Sequence, residues 1–250
     1  MTIRVGYIPY LNMVPFHLGF GPEPLEAGGH RFEFLPMSPR RLGLEADKGD
    51  IDAGAMSLVD YLRLSPSYMP VGSYGIGVRR AAQSVLVFSK QPLASLEGVC
   101  SVSDETSTSF RLLQVLLEAR HKRSGIRYGR IASSMLFDGG ADALLLIGDE
   151  ALKARKEGIP GLPVVTDLGE EWFNWQGAPF VFARWVVRSD IGDSIKETIE
   201  RSIQKSLDSM LIGTLEEINY WRQFVYELTP DHEKSISIFR ELVEKVCLTA

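Results

Sequence analysis

The chain has 250 residues, 45% of them hydrophobic and 24% charged, with a net charge of −5. That length gives room for one large α/β domain or two of ordinary size, and the acidic balance argues against a nucleic-acid backbone or an anionic membrane surface as partner. Cys100 and Cys247 stand far apart and in no paired motif, so neither a disulfide framework nor a zinc site is supported.

Ile3 to Ile8 is a short apolar run that reads as a buried strand and stops at Pro9. Met1 leads straight into it, with no basic segment followed by an uninterrupted apolar stretch, and the chain has no apolar run long enough to span a membrane. The expectation is a cytoplasmic protein. Asn12 then sits in an otherwise apolar loop, ahead of Pro15 in the first turn of a helix. In open α/β sheets ligands bind just past the carboxyl ends of strands. Asn12 therefore either holds a small molecule or only ties up loop backbone.

Arg31 to Leu35 is a second strand, Pro39 to Gly49 a short helix, and Ile51 to Met56 a third strand of small residues. Ser57 to Leu64 opens the next helix, with Ser57 at the N-cap and Asp60 in the first turn. Tyr68 to Gly77 reads as loop and strand, and Ser84 to Ser89 as a β-branched and aromatic strand. A fresh unit starts at Val99 to Ser103, followed by a helix from Thr108 to Arg120. Ala141 to Ile147 is a buried strand leading to Gly148-Asp149 and a helix from Glu150 to Glu157. Val164 to Leu168 and Phe180 to Val187 are strands, and helices run from Asp193 to the C-terminus.

Strands around 84–89 and 180–187 bracket a self-contained βαβ unit, so the flanking segments share one domain. The expected division is a discontinuous first lobe of residues 1–89 and 186–250, with a second lobe of 90–185 inserted. This α/β pattern resembles the two-lobed periplasmic-binding-protein-like (type II) fold, in which ligand sits in a cleft between lobes that close around it. Ser84 lies near the expected hinge. Ser107, Thr108 and Ser109 offer hydroxyls and free N–H groups at a helix N-terminus, which is either a carboxylate site or a plain cap by Thr106 or Ser107. Asp149 either reaches the same cleft or caps its helix. Glu170 and Glu171 stand beside Trp172, Phe173 and Trp175. Burial against those rings raises a carboxyl into general-base range, whereas a solvated helix start leaves it ordinary.

The four histidines have no metal-ligand spacing, and no nucleophile elbow, Walker loop or dinucleotide fingerprint occurs. His17 fits either a cleft wall or the surface.

Tyr10-Leu11-Asn12, Gly49-Asp50-Ile51-Asp52-Ala53, Ser84 to Lys90, Thr108-Ser109, Leu146-Ile147-Gly148-Asp149, Asp167-Leu168-Gly169-Glu170-Glu171-Trp172 and Pro179 to Ala183 occur together and in order. Over about residues 3–187 that series resembles the chorismate dehydratases of menaquinone biosynthesis, which begin the futalosine route. Pro9 and Met13-Val14 depart from the Ser and Thr-Lys-like neighbours of the family's loop. The resemblance implies loss of water from chorismate to give 3-[(1-carboxyvinyl)oxy]benzoate, with a small-molecule substrate and no metal or organic cofactor. It places Asn12 and Ser84 as catalytic groups that orient the ring and its hydroxyl, with Ser57 completing the first-lobe side. Ser107, Thr108 and Ser109 then bind a carboxylate. The base is Asp149, Glu170 or the substrate's own enolpyruvyl carboxylate. Two alternatives share the fold: a non-catalytic receptor for small carboxylates, and an enzyme like 1,4-dihydroxy-6-naphthoate synthase.

Overall fold

The apolar runs become the inner strands of two sheets in the computed structural model, which describes residues 1–18, 25–27, 29–132 and 140–248. The chain divides into two compact units, Met1–Gly77 with Val181–Thr229, and Val78–Phe180 with Pro230–Ala250.

The first unit holds β1 (Thr2–Tyr7), β2 (Leu25–Ala27), β3 (His30–Pro36), α1 (Pro39–Asp47), β4 (Ala53–Ser57), α2 (Leu58–Leu64) and β5 (Tyr68–Val78). The returning chain adds β11 (Phe180–Arg188), α6 (Asp193–Asp208), α7 (Leu215–Trp221) and β12 (Phe224–Glu227). Its seven strands run in the order β12-β5-β11-β4-β1-β3-β2. β1 pairs parallel with β3 and β4, while β11 runs antiparallel to β4 with Ala183 opposite Ser57. The small residues of β4 are a packing requirement, because a Cβ on Gly54 would lie 2.8 Å from the carbonyl oxygen of its partner Gly6. At the other end of these strands the buried Asp52 carboxylate binds Arg4 Nε at 3.1 Å and Arg188 Nη1 at 2.8 Å, clamping β1, β4 and β11 together.

In the second unit lie β6 (Val85–Ser89), β7 (Val99–Ser103), α3 (Thr108–Val115), β8 (Arg127–Ile131), β9 (Ala143–Ile147), α4 (Gly148–Glu157), β10 (Val164–Asp167), α5 (Leu168–Gln176) and α8 (Pro230–Leu248). The strand order is β10-β6-β9-β7-β8. β8 and β9 flank β7 in parallel, and β6 is antiparallel to both β9 and β10. The carboxyl ends of β7, β8, β9 and β10 therefore share one edge with the start of β6. Leu86, Phe88, Leu144 and Leu146 make the core beneath that edge, against Ala151 and Ala154 of α4. Cys100 belongs to the core as well, its thiol pushed up to about 12 by burial.

Four features differ from the reading of the sequence. The strand 85–89 hydrogen-bonds within the second sheet, so the units part at Gly77 rather than at residue 89. The last helix belongs to the second unit, where Ser235 and Phe239 meet Trp172. The segment after Asp193 is not all helical, because Phe224-Val225-Tyr226-Glu227 adds β12. α3 does not run to Arg120 as a regular helix; Leu116–Arg120 widens into a π turn, with His121 N–H bonding Leu116 O.

Candidate functional site

Past the carboxyl end of β1, residues Leu11–Phe16 form a 3-10 turn rather than the expected α-helix. It closes through Met13 N–H to Tyr10 O and His17 N–H to Val14 O, both at 2.9 Å. The turn is gripped from the later part of the same unit. Trp221 Nε1 donates to Leu11 O at 2.8 Å, and Tyr226 OH donates to Asn12 O at 3.0 Å. The Asn12 side-chain oxygen is buried and has no partner among the described residues. A buried acceptor left unmade costs about 1–3 kcal/mol, which singles this amide out as a candidate ligand contact.

His17 packs among aromatic rings, its own ring 4.5 Å from Tyr7, 5.8 Å from Phe34 and 6.2 Å from Trp185. Burial lowers its pKa to about 4, so the imidazole is neutral at pH 7.

Ser57 ends β4 on the same edge of the sheet as Asn12. It occupies the N-cap position of α2 but caps nothing with its side chain. Its hydroxyl instead donates to Asp60 Oδ2 at 2.7 Å, and Arg63 Nη2 stands 3.5 Å from Asp60 Oδ1. Gly43 makes the room: a Cβ there would sit 2.3 Å from the Asp60 carboxyl carbon. The Ser57 proton is thus committed, which leaves its oxygen free to accept.

In the second unit the carboxyl edge of the sheet gathers Ser84, Gly148-Asp149, Asp167-Glu170 and residues 103–109. Ser84 is 1% exposed. Its hydroxyl reaches Ala82 O at 3.4 Å, and its carbonyl accepts from Gly148 N at 2.9 Å. The preceding Gln83 has a left-handed backbone, φ 63°, a conformation that costs a non-glycine residue energy unless neighbours impose it. Asp167 imposes it. One carboxylate accepts from Ala82 N at 2.9 Å, Gln83 N at 2.7 Å, Gly169 N at 2.9 Å and Glu170 N at 3.1 Å. Two of these bonds cap α5 and two fix the turn that presents Ser84. Gly169 permits the contact, since a Cβ would fall 2.8 Å from Arg80 O.

Ser107 stands at the N-cap of α3 without a side-chain cap bond, ahead of buried Thr108 and Ser109. Arg130 of β8 adds charge beside this helix start, donating to Thr106 O at 3.0 Å with its guanidinium 4.9 Å above the Phe110 ring. A helix N-terminus, two hydroxyls and an arginine suit a carboxylate. Asp149 is exposed in the first turn of α4, after Gly148 at φ 62°.

The paired glutamates do not form an apolar pocket wall. Neighbouring residues on a helix project about 100° apart, so Trp172 turns inward while the Glu170 carboxylate turns out. Trp172 is 0% exposed and donates to Pro179 O and Ser235 Oγ at 3.2 and 3.1 Å. The Glu170 side chain is 43% exposed and pairs with Arg80 at 3.0 Å. Glu171 pairs with Arg120 and lies 3.3 Å from His121 Nε2.

Sequence reasoning missed Asp167 as the organiser of the Ser84 turn, although Asp-Leu-Gly-Glu ahead of an apolar run is a cap signature. It also missed Arg130, whose strand is too polar to stand out. Among the described residues, no group of three His, Cys, Asp or Glu is placed to hold a metal ion, and no helix is long and apolar enough to cross a membrane.

Residues 3–218 match the family model described as menaquinone biosynthesis. Over 199 residues the chain is 29% identical to a chorismate dehydratase of Thermus thermophilus, covering 74% of this chain and 70% of that protein. Over 240 residues it is 26% identical to the 1,4-dihydroxy-6-naphtoate synthase of the same organism, covering 92% of this chain and 82% of that one. Among solved structures, a Candida albicans protein described as having the generic periplasmic binding protein fold superposes with a TM-score of 0.64 at 11% identity, covering 99% of this chain and 90% of that one.

Proposed function

The chain belongs to the menaquinone-biosynthesis family, and within it we propose that this protein is a chorismate dehydratase. The observation that carries the reading is the buried, unpartnered amide oxygen of Asn12 on a turn clamped by two aromatic donors. The dehydratase relative adds weight to it.

The reaction removes a proton from the ring carbon that bears the enolpyruvyl ether and hydroxide from its neighbour. The ring carboxylate acidifies that proton through the diene, and charge builds toward the carboxylate before hydroxide leaves. The products are 3-[(1-carboxyvinyl)oxy]benzoate and water, with no change of oxidation state. Aromatisation supplies the driving force, so the protein's task is orientation and stabilisation of the developing charge. Thr108, Ser109 and Ser107, with Arg130 beside them, bind a carboxylate at the start of α3. Asn12 and Ser84 orient the ring and its hydroxyl, and Ser57 accepts from the substrate. The proton goes to the substrate's own enolpyruvyl carboxylate, since Glu170 is engaged with Arg80 and Asp149 is exposed.

A second reading has its own support: the naphthoate synthase relative aligns over more of both chains. Incubating the purified protein with chorismate and separating products by mass decides between them. A product lighter by one water that keeps the enolpyruvyl group is the expected result. Chorismate returned unchanged while the protein gains thermal stability would make it a carboxylate receptor. Chorismate unchanged with no stabilisation would favour the synthase reading.

A further inference from the structure

The Asn12 turn depends on residues that lie beyond the family match. That match ends at residue 218, yet both side chains that grip the turn, Trp221 and Tyr226, come after it. We propose that Tyr226 and Trp221 are positioning residues for Asn12, a role that rests on the reading of Asn12 as a substrate-orienting group.

The geometry is specific. The carbonyls of Leu11 and Asn12 belong to the two peptide planes that flank the Asn12 Cα. Trp221 fixes the first and Tyr226 the second. Peptide units are rigid planes, so anchoring both of them sets the Asn12 backbone dihedrals and the direction of its Cα–Cβ bond. Only the side-chain rotamers then remain to be chosen. The turn needs this help. A 3-10 segment of this length has poor internal hydrogen-bond geometry, and Leu11–Phe16 has no side-chain cap bond of its own.

The two donors are themselves held firmly. Tyr226 is buried, with its ring 5.2 Å from Phe16 and 6.3 Å from Phe224, and Phe224 in turn lies 5.1 Å from Tyr220. Burial pushes the Tyr226 phenol well up, so its proton stays available to Asn12 O at every working pH. Trp221 is buried by its indole and spends its N–H on Leu11. The C-terminal part of the first unit thus shapes the amide that the N-terminal part carries.

Tyr226→Phe removes one hydroxyl and keeps the ring, so the fold is retained. The expected result is a kcat on chorismate lowered about 3- to 10-fold, the worth of one lost hydrogen bond, with KM within about twofold. In an Asn12→Ala background the same change is expected to lower kcat no further. Equal losses in both backgrounds would overturn the proposal, because Tyr226 would then act by another route. Amide hydrogen exchange across residues 11–17 gives a readout independent of turnover, and faster exchange in Tyr226→Phe and Trp221→Phe is expected. If the wild-type protein leaves chorismate unchanged, the dehydratase reading fails while exchange still judges the positioning role. Unchanged exchange in both variants overturns it.

Discussion

The turn that carries Asn12 and the turn that carries Ser84 are built on opposite principles. Each follows or precedes a strand at the carboxyl edge of its own sheet, and each needs outside help to hold its shape. In the first unit the turn is held by its carbonyl groups, which accept from neutral aromatic donors, Trp221 and Tyr226. In the second it is held by its N–H groups, which donate to the carboxylate of Asp167. Hydrogen bonds to a charged group are worth roughly twice neutral ones. The Ser84 turn can therefore sustain a left-handed Gln83, whereas the Asn12 turn relies on packing as much as on polar contacts.

Changes on either side sharpen that contrast. Asp167→Ala removes one acceptor from four N–H groups and is expected to cost about 3–5 kcal/mol of stability. Urea unfolding measures it, and Asp167→Asn should lose about half as much, since one oxygen remains. A loss below about 1 kcal/mol would mean that solvent satisfies those groups and the carboxylate is incidental.

In the first unit His17 carries an acid sensitivity. His17 has a folded-state pKa of about 4 against 6.5 for the free group, so the unfolded chain takes up its proton first. Stability from this residue is complete above about pH 6.5 and falls as pH drops toward 4. At about 1.4 kcal/mol per unit, the loss is on the order of 3 kcal/mol. Unfolding midpoints between pH 7 and 4 test this, and the acid-induced loss should shrink in His17→Phe. An equal acid loss in that variant would place the sensitivity elsewhere.

The smallest effect belongs to Glu170. Its partly exposed pair with Arg80 is worth under about 1 kcal/mol, and in the proposed reaction the substrate's own carboxylate takes the proton. Glu170→Gln is expected to keep turnover of chorismate within about twofold. A drop of 100-fold or more would restore Glu170 as the base.

Much of the sheet framework was legible in the sequence. Val85 to Ser89, Ala143 to Ile147 and Phe180 to Arg188 are short β-branched, aromatic or aliphatic runs bounded by breakers, and buried strands demand that composition. The unit boundary was not legible. Whether residues 85–89 join one sheet or the other depends on hydrogen bonds to β9 and β10, which are remote in sequence. β12 was hidden because four residues between helices carry too little pattern. Asn12 and Ser84 were legible as polar residues at strand ends. What holds them was not, because Tyr226 lies 214 residues from Asn12 and Asp167 lies 84 residues from Gln83. The glutamate pair misled for a simpler reason: adjacent residues on a helix do not share a face, so an aromatic neighbour at the next position says nothing about burial of the carboxylate.

The proposed reaction calls on both Asn12 and Ser84, and their separate removal tests that proposal most directly. Asn12→Ala and Ser84→Ala each take away one side-chain polar group while leaving Trp221, Tyr226 and Asp167 to hold the backbone. Turnover of chorismate should fall at least about 100-fold in each variant, with the melting temperature within a few degrees of wild type. Full turnover in either folded variant would contradict the account.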